Sequence, residues 1–370
     1  MYIAVKGGER AIEASRQLLA AARRGDADVP ALDAAQIEQQ LGLLVSRVMA
    51  EASLYDPRLA ALAIRQACGD AIEAAFLLRA YRTTLPRFAY SEPLDTDRMR
   101  VARRVSAIFK DLPGGQLLGP TFDYTQRLLE FGALAGGVPQ AASTALDAPP
   151  DDVPNALTQL AREGLVEPCL PSEGDPEPPD ITRDPPAYPL PRSGWLQMLA
   201  RADEGWVLGM GYSTQRGYAH THTHPFAGDL RTGHVAIELV PDELDFPVEI
   251  GEIELTECQM INQFVGSAEV APVFTRGQGL VFGRGERKVI AMSLVDRALR
   301  AGEFGEDASS PAQQQEFALP QGDSVEASGF VQHLKLPHYV TFESELQLIR
   351  KLREDVHARA VQAAREGDGE

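Results

Sequence analysis

Apolar residues recur at helical spacing through most of the first 130 residues. The clearest stripe consists of Ile37, Leu41, Leu44, Val45 and Val48, which are separated mainly by three or four positions. Such spacing places the side chains on one face of a helix. This part of the chain is therefore predicted to form a set of amphipathic helices.

Start and stop signals divide the helical region into segments. Asp33 is suited to cap the helix that carries the stripe, and Asp56, which precedes a proline, is suited to begin the next one. That helix is predicted to end near Gly69, because glycine commonly follows the last turn. Further helices are predicted over Ala71–Arg82 and Thr96–Phe109.

Beyond residue 192 the pattern shifts towards an alternation of apolar and polar residues. This period predicts strands over Trp206–Tyr212, His234–Val240 and Val248–Cys258. A helix is predicted over Glu286–Arg300, then a polar loop over residues 302–324. A final amphipathic helix is marked by Phe342, Leu346, Ile349, Leu352 and Val356. The predicted fold class is α+β, with a helical N-terminal half and a mixed, β-containing C-terminal half.

A segment of different composition separates these halves. Residues 141–192 contain twelve prolines and ten acidic residues, which is typical of a linker or surface arm. We expect this arm to be irregular, poorly packed and ordered only against a partner. The predicted domains are a helical domain over 1–140, the arm over 141–192 and a mixed α/β domain over 193–370 that ends in the long helix.

Charge is distributed unevenly along the chain. The 370 residues carry a formal net charge of −18, which disfavours non-specific binding to nucleic acid. Residues 1–110 nevertheless hold 16 lysines and arginines against 13 acidic residues. An anionic small molecule is therefore expected to bind the first part of the chain, and the acidic remainder suits a basic protein partner.

The sequence also indicates a cellular compartment. The amino terminus lacks the basic and apolar regions of a signal peptide, and no run of 18 apolar residues occurs. The cysteines Cys68, Cys169 and Cys258 are far apart and show no paired spacing. A reducing, cytoplasmic location is the expectation.

Two glycine-rich turns are candidate anion sites. Lys6, Gly7 and Gly8 precede a predicted helix, where backbone N–H groups and the helix dipole favour an anion. The alternative is a plain turn, and the spacing of a phosphate-binding P-loop is absent.

The second turn combines glycine with charged residues. Lys110, Asp111, Gly114 and Gly115 form it, and Asp123 follows as a second candidate carboxylate. A turn this rich in glycine and proline also serves simply to reverse the chain, so both interpretations stay open. Arg276 belongs to a further basic, glycine-punctuated cluster, for which recognition of phosphate and a solvated loop are both considered.

Two histidine clusters are candidate metal sites. His220, His222 and His224 alternate, which on a strand places all three rings on one face, although the flanking residues favour a loop. His333 and His338 are five positions apart, and neither a helix nor a straight strand brings them together. A bend at the intervening proline would be needed, so the pattern alone favours the first cluster.

Motifs typical of esterases, metalloproteases and dinucleotide enzymes are absent. Several long segments instead resemble the PhnI family of the bacterial carbon–phosphorus lyase core complex. They are Met1–Ile12, Ala75–Thr96, Val105–Leu129, Pro179–Pro186, Asp203–Gly233, Phe274–Lys288 and His333–Leu346. The resemblance spans nearly the whole chain in order and is weakest over 135–178 and 303–322.

The resemblance implies an enzyme subunit that acts on a nucleotide. Members of the family displace the adenine of ATP, supplied with Mg²⁺, by methylphosphonate, which gives ribose 1-methylphosphonate 5-triphosphate. Alone, they act as nucleosidases that release the base of a purine nucleotide. The carbon–phosphorus bond is cleaved later by the iron–sulfur subunit PhnJ, and this chain lacks a cysteine cluster for such a centre.

The resemblance also implies partners and a metal. PhnJ, PhnG and PhnH are the other core subunits, in two copies each, and PhnL and PhnK are associated proteins. The family's metal-associated pair corresponds to His333 and His338, with zinc expected near PhnJ. In the other cluster, His224 alone matches the family pattern.

Cleavage of an N-glycosidic bond passes through an oxocarbenium-like state, which needs an anchor for the triphosphate and a carboxylate facing the ribose. Candidate anchors are Lys6, Arg82, Lys110 and Arg276, and Asp111 or Asp123 is the candidate carboxylate. The alternative function is a non-catalytic scaffold that organises PhnJ, PhnG and PhnH.

Overall fold

The computed structural model describes residues 8–136, 153–169, 177–216 and 225–367. Residues up to Val325 form one compact unit, and residues from Glu326 onward form a second. None of the helices in these described ranges is both long and apolar enough to cross a membrane.

Five α-helices precede the first strand in the described residues, and two of them begin where the sequence predicted a cap. Asp33 forms a reciprocal capping box with Gln36, and Asp56 accepts a hydrogen bond from the backbone N–H of Leu59. The predicted second helix is in fact two, because the chain breaks at Leu41. The helices are α1 (Glu9–Arg24), α2 (Ala34–Gln40), α3 (Gly42–Ala52), α4 (Pro57–Gln66) and α5 (Ala71–Arg82).

A four-stranded antiparallel sheet forms the centre of the first unit. Its strands lie in the order β1 (Arg100–Val105), β2 (Phe226–Leu239), β3 (Val248–Val265) and β4 (Val273–Phe282). The strands predicted around His234 and Val248 are thereby confirmed, as is the α+β class. The described helices that follow β1 are α6 (Thr158–Arg162), α7 (Arg192–Arg201), α8 (Glu204–Gln215), α9 (Glu286–Leu299), α10 (Gln315–Ala318), α11 (Ser324–His333) and α12 (Tyr339–Gly367).

Two predicted elements are wrong. Trp206–Tyr212 lies within helix α8, whose N-cap Asp203 accepts a hydrogen bond from the backbone of Trp206. A glycine of this helix permits close packing, since a Cβ on Gly211 would lie 3.1 Å from the Cα of Ala291 on α9. The small residue in this segment therefore belongs to a contact between helices α8 and α9 and not to a strand.

The helix predicted over Thr96–Phe109 is also wrong. A single 3₁₀ turn over Thr96–Arg98 is followed by β1, which pairs with β2 at Arg104 and Arg231. Helical spacing of the apolar residues was outweighed by sheet pairing and by the burial of charged side chains on this strand.

The described parts of the proline-rich arm are packed, so the expectation of poor packing is wrong for them. Val153, Leu157, Val166 and Leu190 are buried, and Val166 forms a parallel bridge with Phe274 of β4. Residues 141–152 and 170–176 of the arm lie outside the described residues. The predicted loop over residues 302–324 contains short helical turns, among them α10.

Helix α9 lies unusually close to one face of the sheet. A Cβ added to Gly277 or Gly279 of β4 would overlap the backbone carbonyls of Ser293 and Val289. Glycine in a strand often marks such a close approach of two backbones. This contact sets α9 directly against strand β4.

Candidate functional site

Arg103 of strand β1 links two carboxylates on the α9 face of the sheet. Its Nη2 donates to Asp123 at 2.9 Å and its Nε donates to Glu286, the first residue of α9, at 2.6 Å. The Arg103 side chain is 8% exposed, whereas those of Asp123 and Glu286 are 49% and 33% exposed. A buried cation therefore presents two carboxylates to the solvent.

Asp123 is held in its ionised form. A hydrogen bond from Thr121, followed by the hydrogen bond and charge of Arg103, lowers the pKa of Asp123 below its ordinary value. Arg127 lies 3.8 Å from its other oxygen. An accessible carboxylate that stays ionised can stabilise positive charge on a bound molecule.

The turn that contains Gly114 and Gly115 is stabilised by hydrogen bonds from a buried arginine. Arg104, the neighbour of Arg103 on β1, donates from Nη1 to the carbonyls of Pro113 at 2.5 Å and Gly115 at 3.2 Å. The N–H of Gly115 donates to the Leu112 carbonyl at 2.8 Å. Both glycines have positive φ, 76° and 72°, which a residue with a side chain rarely adopts.

The charged residues of this turn are accessible. Lys110 and Asp111 are exposed, and neither side chain is hydrogen-bonded to the described residues. Among the described residues, Asp111 therefore makes no ion pair like those of Asp123 with Arg103 and Arg127. Of the two candidate carboxylates, Asp123 is the one placed in a charged arrangement.

Two predicted phosphate anchors are half-buried arginines. Neither Arg82 at the end of α5 nor Arg276 in β4 makes a side-chain hydrogen bond or ion pair with the described residues. Burial lowers the pKa of both guanidinium groups. Among the remaining anchors, Gly8 is the N-cap of α1, and Lys6 and Gly7 lie outside the described residues.

His333 and His338 are brought together in the second unit. Helix α11 ends at His333, and the bend before α12 turns the His338 ring back towards it. Their Nε2 atoms are 2.9 Å apart and their rings are nearly perpendicular, with centroids separated by 4.6 Å. The bend at the proline therefore brings the two rings together, which neither a helix nor a straight strand would do.

Hydrogen bonding defines the tautomers of this pair. His338 Nδ1 lies 2.6 Å from the Leu336 carbonyl, which can only accept, so Nδ1 carries the proton. In the neutral ring, Nε2 of His338 then has a free lone pair and accepts from Nε2 of His333. A backbone carbonyl that fixes an imidazole in this way is typical of metal-binding histidines.

No group of three or more metal-ligating side chains occurs in the described part of the chain. The histidine pair could therefore supply two ligands but not a complete tetrahedral set. His220, His222 and His224 lie outside the described residues.

Sequence reasoning missed a buried ionic network on the opposite face of the sheet. Arg104 donates to Asp229 at 3.1 Å, and Arg231 donates from Nε to Glu257 at 2.8 Å. All four side chains are fully enclosed. The alternation of Asp229 and Arg231 on one strand was the available signal. Glu286 was missed because its segment drew attention for its cations.

Comparisons with known proteins place this geometry in context. The family model described as "Bacterial phosphonate metabolism protein (PhnI)" matches residues 1–356. An Escherichia coli K12 protein named "Alpha-D-ribose 1-methylphosphonate 5-triphosphate synthase subunit PhnI" is 55% identical over 355 residues, covering 96% of this chain and 99% of that protein. A Rhizobium meliloti 1021 protein of the same name is 56% identical over 373 residues, covering 99% and 98%.

Proposed function

Because the chain belongs to the PhnI family of bacterial phosphonate metabolism proteins, we propose that it displaces the purine base of ATP with a phosphonate at ribose C1. The product is ribose 1-methylphosphonate 5-triphosphate, and the pathway is that of carbon–phosphorus lyase. Without its partner proteins, the chain acts as a purine nucleotide nucleosidase. The observation that carries the proposal is the similarity to two synthase subunits over almost the full length of each.

The proposed chemistry breaks the bond between ribose C1 and a purine nitrogen. The electron pair of that bond leaves with the base, which takes up a proton, and positive charge develops on C1 and the ring oxygen. A phosphonate oxygen attacks C1 in the exchange reaction, and water attacks it in the nucleosidase reaction. The protein must therefore stabilise a cation beside an anionic triphosphate.

Asp123 suits the first of these tasks. Its lowered pKa keeps it negative at neutral pH, and about half of its side chain is accessible. Arg103 positions it, since the same guanidinium also binds Glu286 on the rigid start of α9. In this proposal Asp123 faces the ribose, while Lys110 and Arg276 are candidate anchors for the triphosphate.

Release of free base by the purified chain tests the activity. The full-length chain incubated with ATP or GTP is expected to release adenine or guanine, measured by chromatography. Asp123→Asn should lower the rate about tenfold to a hundredfold, because it removes the charge that faces the developing cation. Asp111→Asn is the matched control and should retain the rate.

The absence of base release by the wild-type chain under every condition would favour a scaffold function. The second unit supports that alternative, since Phe330, Val331, Leu334, Tyr339 and Val340 are all exposed. Such a group of apolar side chains is typical of a protein interface. PhnJ, PhnG and PhnH are the proposed core partners, two copies of each, with PhnL and PhnK associated.

A divalent metal, Zn²⁺, is proposed to bind His333 and His338. Ligand nitrogens of a tetrahedral zinc site lie about 3.4 Å apart, so the observed 2.9 Å requires the rings to separate only slightly. When bound, zinc would supply a positive charge that orients anionic oxygens. Two imidazoles leave coordination positions for ligand oxygens or for PhnJ.

Elemental analysis of the assembled complex tests the metal site. The double variant His333→Ala, His338→Ala should lose most of the bound zinc, whereas His357→Ala, on the exposed part of α12, should retain it. Full metal content in the double variant would contradict the site.

A further inference from the structure

The hairpin of β2 and β3 extends beyond the rest of the sheet. Strand β4 ends at Phe282, opposite Leu255 of β3, so Val248–Ile253 pair with β2 alone among the described strands. The outer edge of β2 is partly covered, because the N–H of Glu92 donates to the Glu238 carbonyl at 2.8 Å. The opposite edge of β3 has no such cover from the described residues.

Backbone groups on this edge of β3 are directed away from β2. Glu254 shows the direction, since its N–H donates to Tyr55 Oη at 2.9 Å and its carbonyl accepts from the N–H of Gly283 at 2.7 Å. Alternate residues of a strand direct their backbone groups to the same side, so the next residue of this set is Glu252. Its side chain is 41% exposed, and its backbone groups have no partner on that side among the described residues.

Large apolar side chains lie on the same hairpin. Those of Val240, Phe246 and Ile250 are 43%, 57% and 59% exposed. An unpaired strand edge is a template on which another chain can pair, and exposed apolar side chains beside it favour burial by a partner. The end of the hairpin is therefore a candidate docking surface.

The charge of the hairpin indicates the kind of partner. Residues 238–252 include six acidic residues and no lysine or arginine. Four of the six make no side-chain hydrogen bond or ion pair with the described residues, namely Asp242, Glu243, Asp245 and Glu249. These carboxylates attract a basic segment and repel an acidic one, including the same hairpin of a second copy.

We propose that a basic, extended segment of another protein adds a strand to the edge of β3 at Val248–Ile253, with its lysines and arginines beside the hairpin carboxylates. In this mode of binding, main-chain hydrogen bonds hold the added strand and its side chains give specificity. The proposal rests on the proposed function in one respect, since the partner is one of the proposed core subunits PhnG, PhnH and PhnJ. It does not require that the chain release base.

Hydrogen exchange of the full-length chain, alone and assembled with those core subunits, tests the pairing. The amide of Glu252 should exchange about tenfold or more slower in the assembly than in the isolated chain, because a new strand would accept its hydrogen bond. Carbodiimide cross-linking, which joins a carboxylate to a lysine amine, should connect residues 242–249 to lysines of one partner segment.

Matched variants separate backbone pairing from charge. Glu252→Pro removes the N–H and places a ring at the edge, so it should weaken binding of the core subunits about fivefold or more. Glu252→Ala loses the same carboxylate but keeps the N–H, and should weaken binding about twofold at most. Glu249→Lys should weaken binding most at low salt, whereas Glu316→Lys, exposed outside the hairpin, should not.

The assignment would be overturned by failure of the core subunits to bind, by an unprotected Glu252 amide in the assembly, by equal effects of the two Glu252 variants, or by unchanged binding of Glu249→Lys. The last of these applies even if Glu252→Pro fails to fold. Base release by the isolated chain is measured separately and should be retained in the hairpin variants, so failure of this docking surface would leave the proposed activity intact.

Discussion

Arg103 and Arg104 are neighbours on strand β1, yet their side chains lie on opposite faces of the sheet. Arg103 faces α9 and binds Asp123 and Glu286, both of which are partly exposed. Arg104 binds Asp229, and both of these side chains are completely enclosed.

This difference in exposure indicates that the two arginines have different roles. Arg104 also donates to the carbonyls of Pro113, Gly115 and Pro154, so it joins two segments of chain to the sheet. Such an enclosed network maintains the fold. Arg103 instead holds carboxylates that a bound molecule could reach, which makes its face the better candidate for chemistry.

Loss of Arg104 should have the largest effect. Arg104→Met leaves Asp229 buried without its main partner, and the free energy of unfolding should fall by about 3–5 kcal/mol. Arg103→Met should cost about 1 kcal/mol, because its partners are accessible to water. Denaturant unfolding of the two variants measures both values, and equal losses would remove the proposed distinction.

Lys288 on α9 is another enclosed charge. Its side chain is 1% exposed, and Nζ donates to the carbonyls of Ala200 and Ala202. Burial lowers the pKa of Lys288 to about 8 from 10.5. The charged form therefore costs the folded state about 3 kcal/mol below pH 8, and this cost disappears as the pH rises through 10.5.

Lys288→Met should reveal that titration. Between pH 8 and 10.5 the wild-type chain should gain about 3 kcal/mol of stability relative to the variant, with a constant difference below pH 8. Lys351→Met, at an exposed position, should show no such dependence. A difference that is flat with pH would mean that Lys288 is not destabilised when charged.

Arg103 should also influence the pH dependence of base release. Its hydrogen bond and charge help to lower the pKa of Asp123, so Arg103→Met should raise that pKa. Because ionised Asp123 is the proposed active form, activity on the acidic side should then be lost at a higher pH than in the wild-type chain. An unshifted acidic limb would exclude Arg103 as a positioning residue.

The smallest effect is expected at Lys110. It is exposed and lies beside a turn whose carbonyls are held by Arg104, so solvent screens its charge. Lys110→Glu should raise the apparent KM for ATP about two- to threefold without changing the unfolding midpoint. An unchanged KM would remove this turn from the nucleotide site.

Sequence patterns predicted the elements that local signals define. Asp33 and Asp56 cap helices as their positions suggested, and the strand predicted over Val248–Cys258 lies within β3. Strand β1 and helix α8 were missed because pairing with β2 and packing against α9 are long-range effects that local spacing does not contain.

The residues of the candidate site also fall into those that local sequence patterns could identify and those that they could not. The turn at Lys110 and the histidine pair could be singled out because each is short and local. The bond between Arg103 and Glu286 joins residues 183 positions apart, and no spacing rule reaches so far.

Strand β4 has glycines where helix α9 packs on it, so the position of the helix depends on the absence of side chains there. Gly277 and Gly279 let α9 lie directly on the backbone of the strand, and the helix extends about 21 Å. A single methyl group at Gly277 would overlap the backbone carbonyl of Ser293 and tilt the helix. The first residue of this helix is Glu286, so a substitution in β4 would move that carboxylate away from Arg103 without altering either partner of the ion pair.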